Sequence, residues 1–156
     1  MSYILTSGSV LRLLAANPLD PLTKWIEEER VRPLIAITTM AQALDAIRMD
    51  PTVDPADRKT LERRYDDLAR ELRIDKRESV LTAEFDLKSA EILADLLSVG
   101  AAEEEIGEMD LVAAAIAVQH NMDLVVVENS AAWEAFAAAI PPESGRLSLR
   151  VISPAD

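Results

Sequence analysis

The stretch IGEMDLVAAAIAVQHNMDLVVV, residues 106–127, decides the fold predicted for this chain. From Glu108 to Gln119 the residues are almost wholly apolar and rich in alanine, which predicts a buried helix. Asn121 follows, a residue suited to the left-handed conformation that ends helices. The next run, Leu124 to Val127, is apolar and mostly β-branched, which predicts a strand at the centre of a sheet. A buried helix that leads directly into a buried strand is typical of an α/β protein.

The same alternation of short apolar strands and helices extends along the rest of the chain. We predict further strands at Tyr3–Thr6, Leu34–Ile37, Val80–Thr82 and Leu147–Ile152. We predict further helices at Val10–Ala15, Asp20–Arg30, Thr38 or Thr39 to Arg48, Asp54–Arg73, Leu87–Ser98 (capped by Asp86) and Ser130–Ala139. Repeated alternation predicts an α/β fold with a central parallel sheet of about five strands, flanked by helices on both faces. Residues 1–156 form a single domain in this interpretation, because their number suits one core.

Composition narrows the classes of function. The 156 residues contain no cysteine and one histidine, His120, which excludes disulfides, thiolate metal sites and sites that need two histidines. The net charge of −12 disfavours broad electrostatic binding of nucleic acid or an anionic membrane. No apolar stretch reaches the roughly 20 residues of a membrane helix, and the N-terminus lacks the basic start of a signal peptide. We therefore expect a cytoplasmic protein.

Polar residues collect where the predicted strands end. In a parallel α/β sheet, functional residues gather at the carboxyl ends of the strands. Three segments follow strands in this way, namely Ser7–Ser9, Thr38–Gln42 and Glu128–Ser130. The start of the buried helix, Glu108–Asp110, is expected beside the same edge. We therefore expect these four segments to form the functional site.

With these segments in this order, the chain resembles PIN domains, in particular the VapC-type toxins of bacterial toxin–antitoxin pairs. The most specific part is IGEMDLVAAA (106–115) followed by HNMDLVV (120–126), which is similar to the family block IGxxDxxIAA … HG-x-x-LVT. Weaker similarities are SGSVL (7–11) to D-T-N/S-V-L, ITTMAQ (37–42) to V-T-x-A-E, FD (85–86) with Ala90 to F-D … A, and NSAAW (129–133) to N-T-K-D-F. The resemblance spans nearly the whole chain. It implies an endoribonuclease whose carboxylates hold Mg²⁺ or Mn²⁺.

The resemblance also assigns positions to the family's acids, and most of those positions are neutral here. The four positions fall on Ser7 (or Thr6 if the turn is shifted), Gln42, Asp110, and Asn129 (or Ala132). Of these residues Asp110 alone is acidic. Because carboxylates normally hold Mg²⁺, we expect binding of Mg²⁺ or Mn²⁺ to be weak or absent and the nuclease site to be degenerate.

Nearby acids keep an active enzyme open as an alternative. A relocated metal site would combine Asp110 with Glu108, Asp45 and Glu128. The period of a strand argues against this set, because it predicts that Glu128 faces away from Asn129. Asp110 also has a purely structural interpretation, since acids are favoured at the positive end of a helix.

Three classes of function therefore remain: an active ribonuclease, an impaired PIN protein that binds protein or RNA, and a pure interaction module. Loss of the acids favours the last two, and the net charge of −12 favours protein over RNA as the partner. The resemblance implies an antitoxin-like partner and a homodimer. Leu22, Trp25 and Ile26, together with a leucine stripe in residues 54–73, add apolar faces that a dimer would bury. The alternative is that these faces pack into the core of a monomer.

Overall fold

The computed structural model describes residues 2–74, 85–99, 106–141 and 148–154. The strands in these ranges are β1 (Tyr3–Leu5), β2 (Asp123–Val125) and β3 (Arg150–Ile152). The helices are α1 (Ser7–Ala15), α2 (Pro21–Glu29), α3 (Ile37–Met49), α4 (Pro55–Ile74), α5 (Leu87–Val99), α6 (Glu108–His120) and α7 (Ser130–Ala139). None of these helices is both long enough and apolar enough to cross a bilayer. The α/β class predicted from the sequence is confirmed.

The strands form one parallel sheet in the order β1-β2-β3. Ile4 pairs with Leu124, and Leu124 pairs with Val151 on its other side. The strand predicted at the sheet centre therefore lies at the centre. Strands β1 and β3 pair with the two edges of β2, and helices cover both faces of the sheet.

The prediction of about five strands is wrong for the described residues, which form three. In the stretch predicted as a strand from Leu34 to Ile37, Leu34 alone pairs, through an isolated parallel bridge to Ile4. The backbone turns into α3 at Ile37, so no ladder continues beyond the bridge in that direction. The strand predicted at Val80–Thr82 lies outside the described residues.

Each face of the sheet has its own core, because successive side chains along a strand point to opposite faces. One core contains Ile4 and Leu124 with buried residues of α5, α6 and α7. The other contains Leu5 and Val125 with buried residues of α1, α2 and α3, and α4 packs against it. Helices therefore flank both faces, as predicted.

Several helix ends are set by local signals that can be found in the sequence. Asp20 caps α2, since its Oδ1 accepts a hydrogen bond of 2.9 Å from the backbone N–H of Leu22. Asp86 accepts a similar bond from the N–H of Ser89 at the start of α5, also 2.9 Å long. Asn121 ends α6 in the left-handed conformation, with φ of 55°. These three predictions are confirmed.

Two helices begin earlier than predicted. The first, α1, begins at Ser7 instead of Val10, and α3 begins at Ile37 instead of after a threonine cap. Neither N-cap residue, Thr6 or Ala36, makes a side-chain cap hydrogen bond. The first turns of both helices are therefore open to partners from elsewhere in the fold.

The apolar faces of α2 and α4 are used within the chain. Leu22 is 1% exposed and belongs to the core beneath α1, α2 and α3. Trp25 on α2, and Leu61 and Leu68 on α4, pack against the same core, and Trp25 also meets the ring of Tyr3 edge-on. The argument for a dimer from surplus apolar faces is therefore weakened, and the homodimer rests on the resemblance.

Candidate functional site

Four helices begin near the carboxyl edge, the end of the sheet at which β1 and β2 stop. Helix α1 follows β1 after a single residue, Thr6. Helix α7 follows β2 after residues 126–129. The third helix, α3, begins at Ile37, three residues after the Leu34 bridge. It packs against the fourth, α6, whose first turn contacts Ser7 through Asp110. The carboxyl edge therefore receives side chains from elements far apart in sequence, which is the arrangement expected for a site in a parallel sheet.

Ser7 and Asp110 are in direct contact at this edge. The backbone N–H of Ser7 donates to Oδ1 of Asp110, and the Ser7 hydroxyl donates to Oδ2, each over 3.0 Å. Ser7 is 7% exposed, so the contact is largely screened from water. Because Thr6 does not cap α1 with its own side chain, the Asp110 carboxylate supplies the cap from α6. Asp110 thus binds Ser7, the residue at a position to which the resemblance assigns another acid.

Burial raises the pKa of Asp110 above its ordinary value. The two hydrogen bonds from Ser7 act against this shift, because they stabilise the charged carboxylate. The negative charge of Glu128 adds to the rise in pKa. Hydrogen bonds from Ser7 therefore stabilise the charged carboxylate of Asp110, while burial and Glu128 destabilise it.

Glu128 belongs to the same edge. A Cβ added at Gly8, in the first turn of α1, would lie 3.4 Å from Oε2 of Glu128. Because β2 ends at Val125, a strand period of two does not govern residue 128, and the expectation that Glu128 faces away from Asn129 stays a prediction. In the sequence, Glu128 could be identified as a candidate because it is an acid that directly follows the apolar run of the central strand.

Gln42 reaches the N-terminus of α6 from α3. A Cβ added at Gly107, the N-cap of α6, would lie 3.2 Å from Nε2 of Gln42, so glycine permits this close approach. The other amide atom, Oε1, is buried and has no hydrogen-bond partner within the described residues. The hydroxyl of Thr38, one turn earlier on α3, is in the same condition. The edge thus holds polar atoms whose hydrogen-bonding capacity is unused.

The remaining candidate residues do not complete a set of carboxylates. Asn129 is exposed and takes the left-handed conformation, with φ of 54°, as the N-cap of α7. Ala132 is buried, while Asp45 and Glu108 are exposed. Across the described ranges, no three His, Asp or Glu side chains converge as metal ligands. Asp110 and Glu128 are therefore the acids that the structure brings to the Ser7 end of the edge.

This donor set does not fit a strongly bound pair of metal ions. Two-metal sites depend on several carboxylates to offset the charge of the ions. Here Asp110 is already engaged by Ser7, and Ser7 and Gln42 are neutral. The edge can supply two carboxylates, a hydroxyl and an amide oxygen, which suits a weakly held cation or a hydrogen-bonding partner.

Comparison with known proteins identifies the fold. No family profile and no curated protein sequence matches the chain. Among solved structures, FitAB bound to an IR36 DNA fragment matches with a TM-score of 0.61, 17% identity, and coverage of 99% of this chain and 96% of that one. VapBC2 from Rickettsia felis, bound to a DNA fragment from their promoter, matches with a TM-score of 0.61, 15% identity and coverage of 98% of both chains. FitAcB from Neisseria gonorrhoeae matches with a TM-score of 0.58, 17% identity and coverage of 97% of both chains. These neighbours are PIN-domain toxin–antitoxin proteins, so the resemblance to VapC-type PIN domains is confirmed as a likeness of fold over nearly the whole chain.

Proposed function

We propose that this chain is a VapC-like PIN protein whose ancestral metal-dependent endoribonuclease site has degenerated, so that it acts chiefly by binding a protein partner. The observation that carries this proposal is the contact between Ser7 and Asp110. Both oxygens of the retained acid accept hydrogen bonds from Ser7, at the position where the resemblance places another acid. Hydrolysis of a phosphodiester by this family needs a metal-activated water, and a carboxylate engaged in capping a helix is poorly available as a metal ligand.

The proposed partner is an antitoxin-like protein. The neighbouring structures are toxin–antitoxin complexes, and two of them include DNA. A net charge of −12 favours a protein partner with basic groups over direct contact with RNA or DNA. A homodimer and a cytoplasmic location belong to the same proposal.

A second candidate is a relocated and weaker cation site, and one observation favours it. Glu128 is close enough to Asp110 to raise its pKa, and Oε1 of Gln42 is buried without a partner in the described part of the chain. Together these oxygens would form a site of lower charge than a full set of carboxylates. Mg²⁺ or Mn²⁺ would bind there weakly, and residual ribonuclease activity would depend on Asp110.

The decisive experiment is cleavage of single-stranded RNA with Mg²⁺ or Mn²⁺. We expect no cleavage above that of Asp110→Asn, which keeps the shape of the side chain and removes its charge. Metal-dependent cleavage that Asp110→Asn abolishes would refute the degenerate site and support the relocated one. Ser7→Asp combined with Gln42→Glu restores acids at two lost positions, and this variant should gain metal binding and cleavage if the alignment with the PIN family is right.

A further inference from the structure

A second polar cleft lies at the opposite end of the sheet, near the amino end of β1. It has a volume of about 320 Å³, which is at the small end of ligand sites in proteins. Among its lining residues are Tyr3, Glu29, Arg30, Val31, Arg32 and Leu34. None of them belongs to the carboxyl edge, so the cleft is separate from the proposed PIN site.

Arg30 is the residue that sets this cleft apart. It ends α2 in the left-handed conformation, with φ of 51°, and its N–H bonds back to Glu27. Glycine or asparagine is favoured at such a position, because a side chain with a Cβ is strained there. Strain at a non-glycine residue is a reason to ask what its side chain does.

The guanidinium of Arg30 is available to a ligand. It makes no hydrogen bond or ion pair with any described residue, whereas Arg12, Arg48 and Arg150 pair with acids of the fold. Arg32 lines the same cleft two residues later. A guanidinium offers a planar fork of donors that matches a phosphate or carboxylate.

We propose that the cleft binds a small organic anion, either a phosphate monoester or a carboxylate, with Arg30 as its main contact. Its volume limits the ligand to a small molecule. Val31, Leu34 and the ring of Tyr3 offer apolar surface for the body of that ligand. Glu29 can accept a hydrogen bond from a ligand hydroxyl or amino group, which disfavours simple inorganic ions.

Calorimetric titration of the full chain at low salt tests the proposal with AMP, succinate and adenosine. We expect AMP or succinate to bind and uncharged adenosine not to bind. Arg30→Gln should weaken binding about tenfold, as expected for loss of a charge-assisted hydrogen bond. Arg63→Gln, the same change at an exposed position of α4, should leave the affinity unaltered. Binding of AMP or succinate identifies the phosphate or the carboxylate source, respectively.

Arg30→Gly separates the function of the side chain from its structural role. Glycine relieves the left-handed strain, so we expect the Tm to rise by roughly 2–8 °C while anion binding weakens at least as much as in Arg30→Gln. The proposal is overturned if neither anion binds at millimolar concentration, if adenosine binds as well as AMP, or if Arg30→Gln binds like the original chain. A Tm that does not rise in Arg30→Gly would remove the strain argument.

Discussion

Removal of the Ser7 hydroxyl should destabilise the protein in a way that depends on pH. Ser7→Ala deletes the 3.0 Å bond from Oγ to Asp110 Oδ2 and leaves the backbone bond to Oδ1 in place. Hydrogen bonds to charged groups contribute about 1.5–3 kcal/mol to the free energy of unfolding. At about 2–4 °C per kcal/mol for a chain of this size, the Tm at pH 7 should fall by roughly 3–12 °C.

The pH dependence follows from the charge of Asp110. The Ser7 hydrogen bond favours the ionised carboxylate, so its contribution is present above the folded pKa of Asp110 and fades as the pH falls through it. In the intact chain that pKa is raised, mainly by burial. The folded state therefore binds a proton more tightly than the unfolded state. Ionisation of Asp110 lowers overall stability as the pH rises from the ordinary pKa of an aspartate through the raised pKa of the folded state. The difference in Tm between Ser7→Ala and the original chain should therefore shrink as the pH falls below the folded pKa of Asp110.

Ser9→Ala is the matched control. Ser9 lies on the same helix, is fully buried, and donates to the neutral backbone oxygen of Val125 over 2.8 Å. Its removal should cost stability by a similar mechanism but with little dependence on pH. Thermal unfolding of the three chains from pH 4 to pH 8 makes the comparison. Equal Tm values for Ser7→Ala and the original chain, or a loss as independent of pH as that of Ser9→Ala, would show that the charged Ser7–Asp110 contact does not act as argued.

Two further predictions concern metal binding and assembly. Calorimetric titration with Mn²⁺ should show weak binding at most, and Glu128→Gln should abolish it if Asp110 and Glu128 share the cation; tight binding that survives this change would exclude that pair. Light scattering at micromolar concentration should give the mass of a dimer, as the resemblance to VapC-type proteins implies, and a monomer mass across the range would defeat the homodimer.

Local signals in the sequence were sufficient to predict most of the helices and the central strand. The buried helix before Asn121 matches its predicted bounds to within one residue, and the central strand lies where it was predicted but runs from Asp123 to Val125 instead of from Leu124 to Val127. Burial periodicity and helix capping act over a few residues, so they locate elements in this way. Asp20 and Asp86 cap their helices for the same reason. The motifs also occur in the order typical of PIN domains, and each one follows a strand or begins a helix, so their order predicted the fold.

The tertiary structure decided how the candidate residues meet. Ser7 and Asp110 are 103 residues apart, and their hydrogen bonds depend on how α1 and α6 are placed at one edge of the sheet. Glu128 reaches that edge because β2 stops at Val125, a boundary that the apolar run to Val127 conceals. Leu34 pairs alone because the chain turns into a helix before a ladder can form. Pairing and side-chain contact are long-range properties, so residue types and spacing could name the members of this site but could not establish which of them bind one another.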